Sequence, residues 1–273
     1  MVTIGLVANI YNEAHALPGW LETHLPHFDD VRVYHSGPQG ELSDDGTMDI
    51  LYDWRVPFLI GSIDDGFGAT RTRAIRSSPC DWVMLLDCDE RFYPTLPHLK
   101  CSGTPTPHAE VDAILATYSD SPDWDKLATL GAGLKVEPWL DDGVYSHIGY
   151  LRQLLTHTVI DHYDAVATVR RHWHGLGHRR PTQNWMTDPD WQLRIVRNVE
   201  SVYFDPGTRM HERLVGARGV YRADFQYGPF FDHFHFHFKR MEWEQRRHDV
   251  AVYDAVHAGR VPPTREEWRA NND

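Results

Sequence analysis

In the first hundred residues short apolar runs alternate with helix-patterned stretches, and this alternation restricts the chain to an α/β fold built on a parallel sheet. The apolar runs fall at 4–10, 31–34, 58–60 and 82–86, and the helical patterns between them at 17–25, 48–52 and 68–78. The first run carries Ile, Leu, Val and Ala without regular polar alternation, which suits a central strand covered on both faces. Asp45 or Thr47 is placed to cap the second helix, and Ser78-Pro79 ends the third. The residues after 93 read less regularly. The expectations there are a loop over 94–107, a strand at 111–118, a long polar loop over 157–190, and short strands at 193–196 and 201–204. A strand over 231–238 would send His233, His235 and His237 to one face. A helix over 241–257 has Val250, Tyr253, Ala255 and Val256 inward and stops at Gly259 and Pro262-Pro263. Segment 120–142 is unassigned. The expected organisation is one domain over 1–240, with a nucleotide-binding half (1–93) and an acceptor half (94–240), and a C-terminal helix and tail (241–273) packed on it.

Charge and cysteine content narrow the function classes. The chain has 27 Lys and Arg against 39 Asp and Glu, a net charge of −12, which disfavours a nonspecific grip on nucleic acid. Arg170-Arg171 and Arg179-Arg180 keep a local basic patch in play. No apolar run approaches the roughly 20 residues of a membrane span, Met1 leads into Val-Thr-Ile without a charged leader, and three cysteines form no framework. The expectation is a cytoplasmic protein. Eighteen histidines raise a metal site as a possibility to test.

The most informative segment is Val83-Met84-Leu85-Leu86-Asp87-Cys88-Asp89-Glu90. A hydrophobic strand that ends in two carboxylates one residue apart delivers both acids to the carboxyl edge of a parallel sheet, where open α/β folds bind ligands. Such hard oxygen ligands suit Mg²⁺ or Mn²⁺ on a diphosphate. A solvated acidic turn is the plainer reading. The same histidine and aspartate content also fits a zinc or two-metal hydrolase, and a third reading is a non-catalytic nucleotide-sugar-binding protein.

Several pieces together resemble the family 2 glycosyltransferases of GT-A fold. These are Asn12-Glu13 after the first strand, Asp44-Asp45-Gly46-Thr47-x-Asp49-Ile50 after the second, Arg71 three residues before Ala74-Ile75, and Asp81 through Glu90. Arg194-x-x-Arg197 followed by His211-Glu212 resembles one branch of that family. One departure is that His35-Ser36-Gly37 stands where many members have Asp-Asp-Gly-Ser. The resemblance implies an α/β, GT-A-like, mostly parallel sheet flanked by helices with a C-terminal helical extension. It implies a metal-dependent, inverting hexosyl transfer from a nucleotide-diphosphate sugar, UDP-sugar favoured, to a hydroxyl of a glycan, protein, lipid-linked or modified nucleic-acid acceptor. By the same resemblance Asp87, Asp89 and His211 hold Mn²⁺ or Mg²⁺, while Asn12, Glu13, Asp45, Asp65, Arg71 and Asp87 line the donor site. Glu212 is the expected base, with Asp190 and Asp188 as rivals. Plainer roles stand beside these: Arg71 paired to Asp64 or Asp65, Glu13 capping the next helix, and Glu212 paired to Arg209 or Arg213. His233 or His235 is an alternative metal ligand, and Trp173, Trp185 and Trp191 with His172, His174 and His178 could meet a sugar or phosphate.

Overall fold

A computed structural model describes residues 1–92, 147–173, 181–182, 190–208, 212–223, 230–234 and 243–271. The strand at 111–118, the histidines at 174, 178, 211, 235 and 237, Asp188, Arg209 and Trp185 lie outside the described residues. The first four strands are β1 (Ile4–Ile10), β2 (Asp30–Gly37), β3 (Phe58–Ser62) and β4 (Trp82–Leu85), with helices α1 (Leu17–His24), α2 (Thr47–Asp53) and α3 (Phe67–Ser77) between them. They pair in parallel in the order β3-β2-β1-β4, as the alternation of patterns predicts.

The period-two alternation of β1 divides the core into two layers. Ile4, Leu6, Ala8 and Ile10 pack on one face with Leu17, Trp20 and Leu21 of α1 and Leu51 of α2. Leu151, Leu154 and Leu155 of α4 (His147–Thr156) join the same layer. Val7 goes to the opposite face, against Ala74 and Ile75 of α3 and Val83 and Leu85 of β4. The described sheet is therefore flanked on both sides; β1, β2 and β4 are largely buried, while β3 at the sheet edge leaves Leu59 and Ile60 exposed.

The rest of the sheet corrects the long polar loop expected over 157–190. That range contains β6 (Ala165–Trp173) and β7 (Pro181–Thr182). Ahead of them β5 (Glu90–Arg91) follows β4, and behind them come β8 (Asp190–Arg197), β9 (Tyr203–Phe204), β10 (Leu214–Val215), β11 (Val220–Arg222) and β12 (Phe230–Phe234). β8 runs antiparallel between β4 and β6, while β11 and β12 pair in parallel with β6. β6 escapes a periodicity reading because its first half, Ala165 to Thr168, is buried while its second half is Arg170-Arg171-His172-Trp173. Its polar end lies at the same sheet edge as the carboxyl ends of β1 and β4. β8 is likewise longer than the expected 193–196.

The C-terminal helices α5 (Trp243–His257) and α6 (Arg265–Ala270) follow. α5 does bury Ala255 and Val256, but Val250 and Tyr253 are exposed, and His248 is the further buried residue of that face. The correction follows from helical spacing, since 248, 255 and 256 share a stripe. The segment docks on the loops after β1 and β2. Arg265 pairs with Asp44 and donates its backbone N–H to Glu41, which also accepts from the Tyr11 hydroxyl at 2.7 Å. Gln39 Nε2 donates to Glu267 at 2.7 Å, and His248 lies edge-on to both Tyr11 and Trp268.

Candidate functional site

The loop after β1 is built from backbone donors and small polar acceptors. Asn12 takes a left-handed backbone, φ 57°, which asparagine tolerates better than most residues. Its N–H donates to Ser43 Oγ, and the Glu13 N–H to Thr47 Oγ1. Asp45 accepts from the Ala14 N–H through Oδ2 and from the Thr47 N–H and hydroxyl through Oδ1. One carboxylate thus starts α2 and ties down the loop that carries Glu13, with Gly46 supplying the positive φ of 96° between them. His35, which stands where the family that the motifs resemble has an acid, is buried, which lowers its pKa, and its Nε2 accepts from the Ser43 N–H at 3.1 Å. The His35-Ser43-Asn12 tie gave no signal in the sequence. Glu13 caps α1 through its carbonyl, which accepts from the Ala16 and Leu17 N–H groups, and its side chain makes no cap.

At the end of β4 the acids turn towards α3 and β8. α3 runs back from the sheet edge, so Arg71 stands one turn ahead of the buried Ala74. Its Nε donates to Glu212 Oε1 at 2.7 Å, and its Nη2 lies 3.3 Å from Asp87 Oδ2. This sets aside the plainer pairings: Asp65 pairs instead with Arg73, and its side chain is 59% exposed, so it is not brought into this cluster. Asp64 accepts from the Gln39 N–H.

Glu212 reaches Arg71 because the chain before it is pressed on α3. A Cβ at Gly68 would sit 2.4 Å from the Asp205 carbonyl, so only glycine admits this approach. Thr72 Oγ1 accepts from the Phe204 N–H, and Asp205 closes the turn at Pro206-Gly207 by accepting from the Gly207 N–H. The pairing of β9 with β10 then returns the chain beside Glu212.

Arg194 of β8 completes the cluster. It pairs with Glu90, and its Nη2 is 3.6 Å from Asp87 Oδ2. Asp190 takes the register position beside Arg170 at the start of β8, and His233 stands opposite Glu90 in register. Trp191 is covered by the Arg222 guanidinium, 5.8 Å from its ring centre.

The charges separate into two groups. Burial works to raise the Asp87 carboxyl, but the Arg71 and Arg194 guanidiniums hold it below the usual carboxylate range. Glu212 behaves likewise: burial raises it, and Arg71 brings it below its ordinary value, so it is ionised at neutral pH. Glu13 is pushed well above its ordinary value by burial and then by Asp89, Asp249, Asp87 and Asp45. Carboxylate charge from four neighbours thus acts on Glu13.

Asp249 on α5 belongs to this acidic side and was not foreseen, because one acid within an amphipathic helix carries no signal. Burial pushes it up to about 7, against the pull of Arg265. Its folded pKa exceeds the unfolded one, so the folded chain holds the extra proton and stability is lost as pH rises from about 4 to about 7. Asp249→Asn is therefore expected to gain stability over the parent across that window. The gain reaches about 2 kcal/mol near pH 8, discounted because a third of the side chain meets water. Thermal melts of both proteins at about pH 4.5 and 8 check this, and a melting difference independent of pH would refute it.

The donor set fits a hard divalent cation of the kind bound through one or two carboxylates plus substrate phosphates. Asp87 and Asp89 are such carboxylates, and the repulsion that raises Glu13 is what a cation would relieve. Among the described residues no group of three or more His, Cys, Asp or Glu side chains converges as a self-sufficient metal site.

No protein-family model matches the chain. No curated protein matches it. Among solved structures, S. aureus TarS 1–349 in complex with UDP is 13% identical, with a TM-score of 0.44, over 94% of this chain and 65% of that one. The same TarS fragment in complex with UDP-GlcNAc is 12% identical, with a TM-score of 0.42, over 94% of this chain and 66% of that one. The chain therefore spans just under two thirds of these structures. A Desulfovibrio desulfuricans G20 protein described as a nucleotide-diphospho-sugar transferase is 11% identical, with a TM-score of 0.37, over 100% of this chain and 96% of that one. At these identities and scores none of them bears on what this chain does.

Proposed function

We propose that the chain is a glycosyltransferase that moves a sugar from a nucleotide-diphosphate donor, UDP-sugar favoured, to an acceptor hydroxyl with inversion. The observation that carries the reading is Arg71 bridging Asp87, at the carboxyl edge of the parallel strands, and Glu212. One guanidinium thereby joins Asp87, assigned to the donor, to Glu212, assigned to the acceptor. The motif resemblance supports the substrate class, and the geometry supports the roles.

Asp87 and Asp89 are the residues that would hold Mg²⁺ or Mn²⁺, and the ion when bound offsets charge on the diphosphate leaving group. His211, the third proposed ligand, precedes Glu212 in the chain. Asn12 and Glu13 line the nucleotide side, while Asp45 acts by fixing their loop. Arg71 is placed to turn from the carboxylates to the donor phosphates, where a guanidinium makes paired hydrogen bonds. The acceptor oxygen bonds to the anomeric carbon as the bond to the diphosphate oxygen breaks, and Glu212, ionised and half-buried, takes the acceptor proton. Asp190 is the rival base.

A thermal-shift series tests the donor class, because a ligand of the folded state raises its melting temperature by mass action. UDP or a UDP-sugar with Mn²⁺ is expected to raise it by several degrees, and UDP without the ion by much less. No shift with any nucleotide diphosphate would overturn the reading.

A further inference from the structure

Glu90 is the fourth residue of the acidic turn, yet it is only 1% exposed and is buried at the foot of the site. Its Oε2 accepts from the Asp87 N–H at 3.0 Å, while its own N–H donates to the Asp87 carbonyl at 2.9 Å. Residues 87 to 90 are thus closed by two bonds in opposite senses. The other oxygen, Oε1, pairs with Arg194 of β8 and lies 3.7 Å from Arg170 of β6. Arg194 is held between two carboxylates: it is bonded to Glu90 and lies 3.6 Å from Asp87 Oδ2. Asp87 already has Arg71 at 3.3 Å.

We propose that Glu90 is a positioning residue that does two separable things: it staples the Asp87–Asp89 turn through the Asp87 amide, and its charge holds Arg194 at 3.6 Å from Asp87, short of a direct hydrogen bond to it. Both guanidiniums already act on Asp87, and a direct second bond from Arg194 would compete with a cation or a donor, so Asp87 stays available only while Arg194 keeps its shorter bond to Glu90. Arg194's side chain is 7% exposed, so it cannot turn to water if Glu90 loses its charge, and the carboxylate at 3.6 Å is within its reach. The effect on nucleotide binding rests on the transferase reading above; the staple does not.

The two parts are tested on the full chain with Glu90→Gln, Glu90→Asp and the double variants Glu90→Gln/Arg194→Met and Glu90→Leu/Arg194→Met, which remove the stranded charge so that folding is kept; Gln retains an oxygen for the Asp87 N–H and Leu has none. Amide hydrogen exchange at Asp87, read by NMR without ligand, is expected to be about tenfold quicker in Glu90→Leu/Arg194→Met than in Glu90→Gln/Arg194→Met. The Mn²⁺ concentration for half-maximal UDP binding should rise about tenfold in Glu90→Gln, a size usual for residues that orient a metal ligand. It should recover substantially in Glu90→Asp. In Glu90→Gln/Arg194→Met it should return to within about threefold of the parent, with exchange at Asp87 still slow. Equal exchange in the two double variants overturns the staple. A raised Mn²⁺ requirement that persists in Glu90→Gln/Arg194→Met overturns the role given to Arg194. If the parent binds no UDP with Mn²⁺, the transferase reading fails, and the exchange measurement still decides the staple.

Discussion

Asp89→Ala is expected to lose sugar transfer by at least about 10³-fold in kcat/KM, equal to about 4 kcal/mol of transition-state stabilisation. Mn²⁺-dependent UDP binding should be lost with it. The fold should be untouched. The turn at 87 to 90 is closed by bonds between Asp87 and Glu90, and Asp89 takes no part in that closure. After burial, Asp89 is the charge that does most to push Glu13 up, so removing it relieves repulsion. Calorimetric melting within about 2 °C of the parent, together with inactivity, is the predicted pair of results. Full activity in the variant would sink the assignment of Asp89, and inactivity through unfolding would show that its role is structural.

The second large effect is expected at Glu212. Glu212→Gln keeps an oxygen for the Arg71 N–H and the shape of the side chain but removes the proton acceptor. A general base contributes about 10²–10⁴-fold, so kcat should fall by that factor. The donor KM should change by less than about threefold, since the carboxamide still orients Arg71. Steady-state kinetics with varied donor separate the two parameters. A fall in kcat of less than fivefold would move the base elsewhere, and Asp190, in register beside Arg170, is then the acid to replace.

Within the parallel half, β1 and β4 were legible because they are buried on both faces, so hydrophobicity alone marks 4–10 and 82–86, while 31–34 and the edge run 58–60, whose Leu59 and Ile60 are about half exposed, were legible as short β-rich runs between helical patterns. β6 was not legible, because it changes character halfway, from a buried Ala-Val-Ala-Thr start to a basic end at the site edge. On α5 the apolar residues suggested an inward stripe through Val250 and Tyr253, whereas the docking surface offers partners for His248.

In the site, Asp87, Arg71 and Glu212 were expected from the resemblance, and the structure brings these three together. It does not bring Asp65 to them, because Arg73, two residues after Arg71, takes that carboxylate. Asp45 was expected at the donor and is found bonded to the backbone of its own loop and of the loop after β1. Glu90 stood in the motif and yet was passed over as a site residue. A sequence cannot show that one of three neighbouring acids is buried against two arginines from strands about 80 and 100 residues further along.

The measurement that tests the central claim most directly is NMR of a UDP-sugar incubated with the protein, Mg²⁺ and a panel of hydroxyl acceptors. The account predicts loss of the donor anomeric signal, release of UDP and a product of opposite anomeric configuration, all absent with Asp89→Ala. Transfer with retained configuration would contradict the proposed single displacement, and equal turnover by the parent and Asp89→Ala would contradict the site itself.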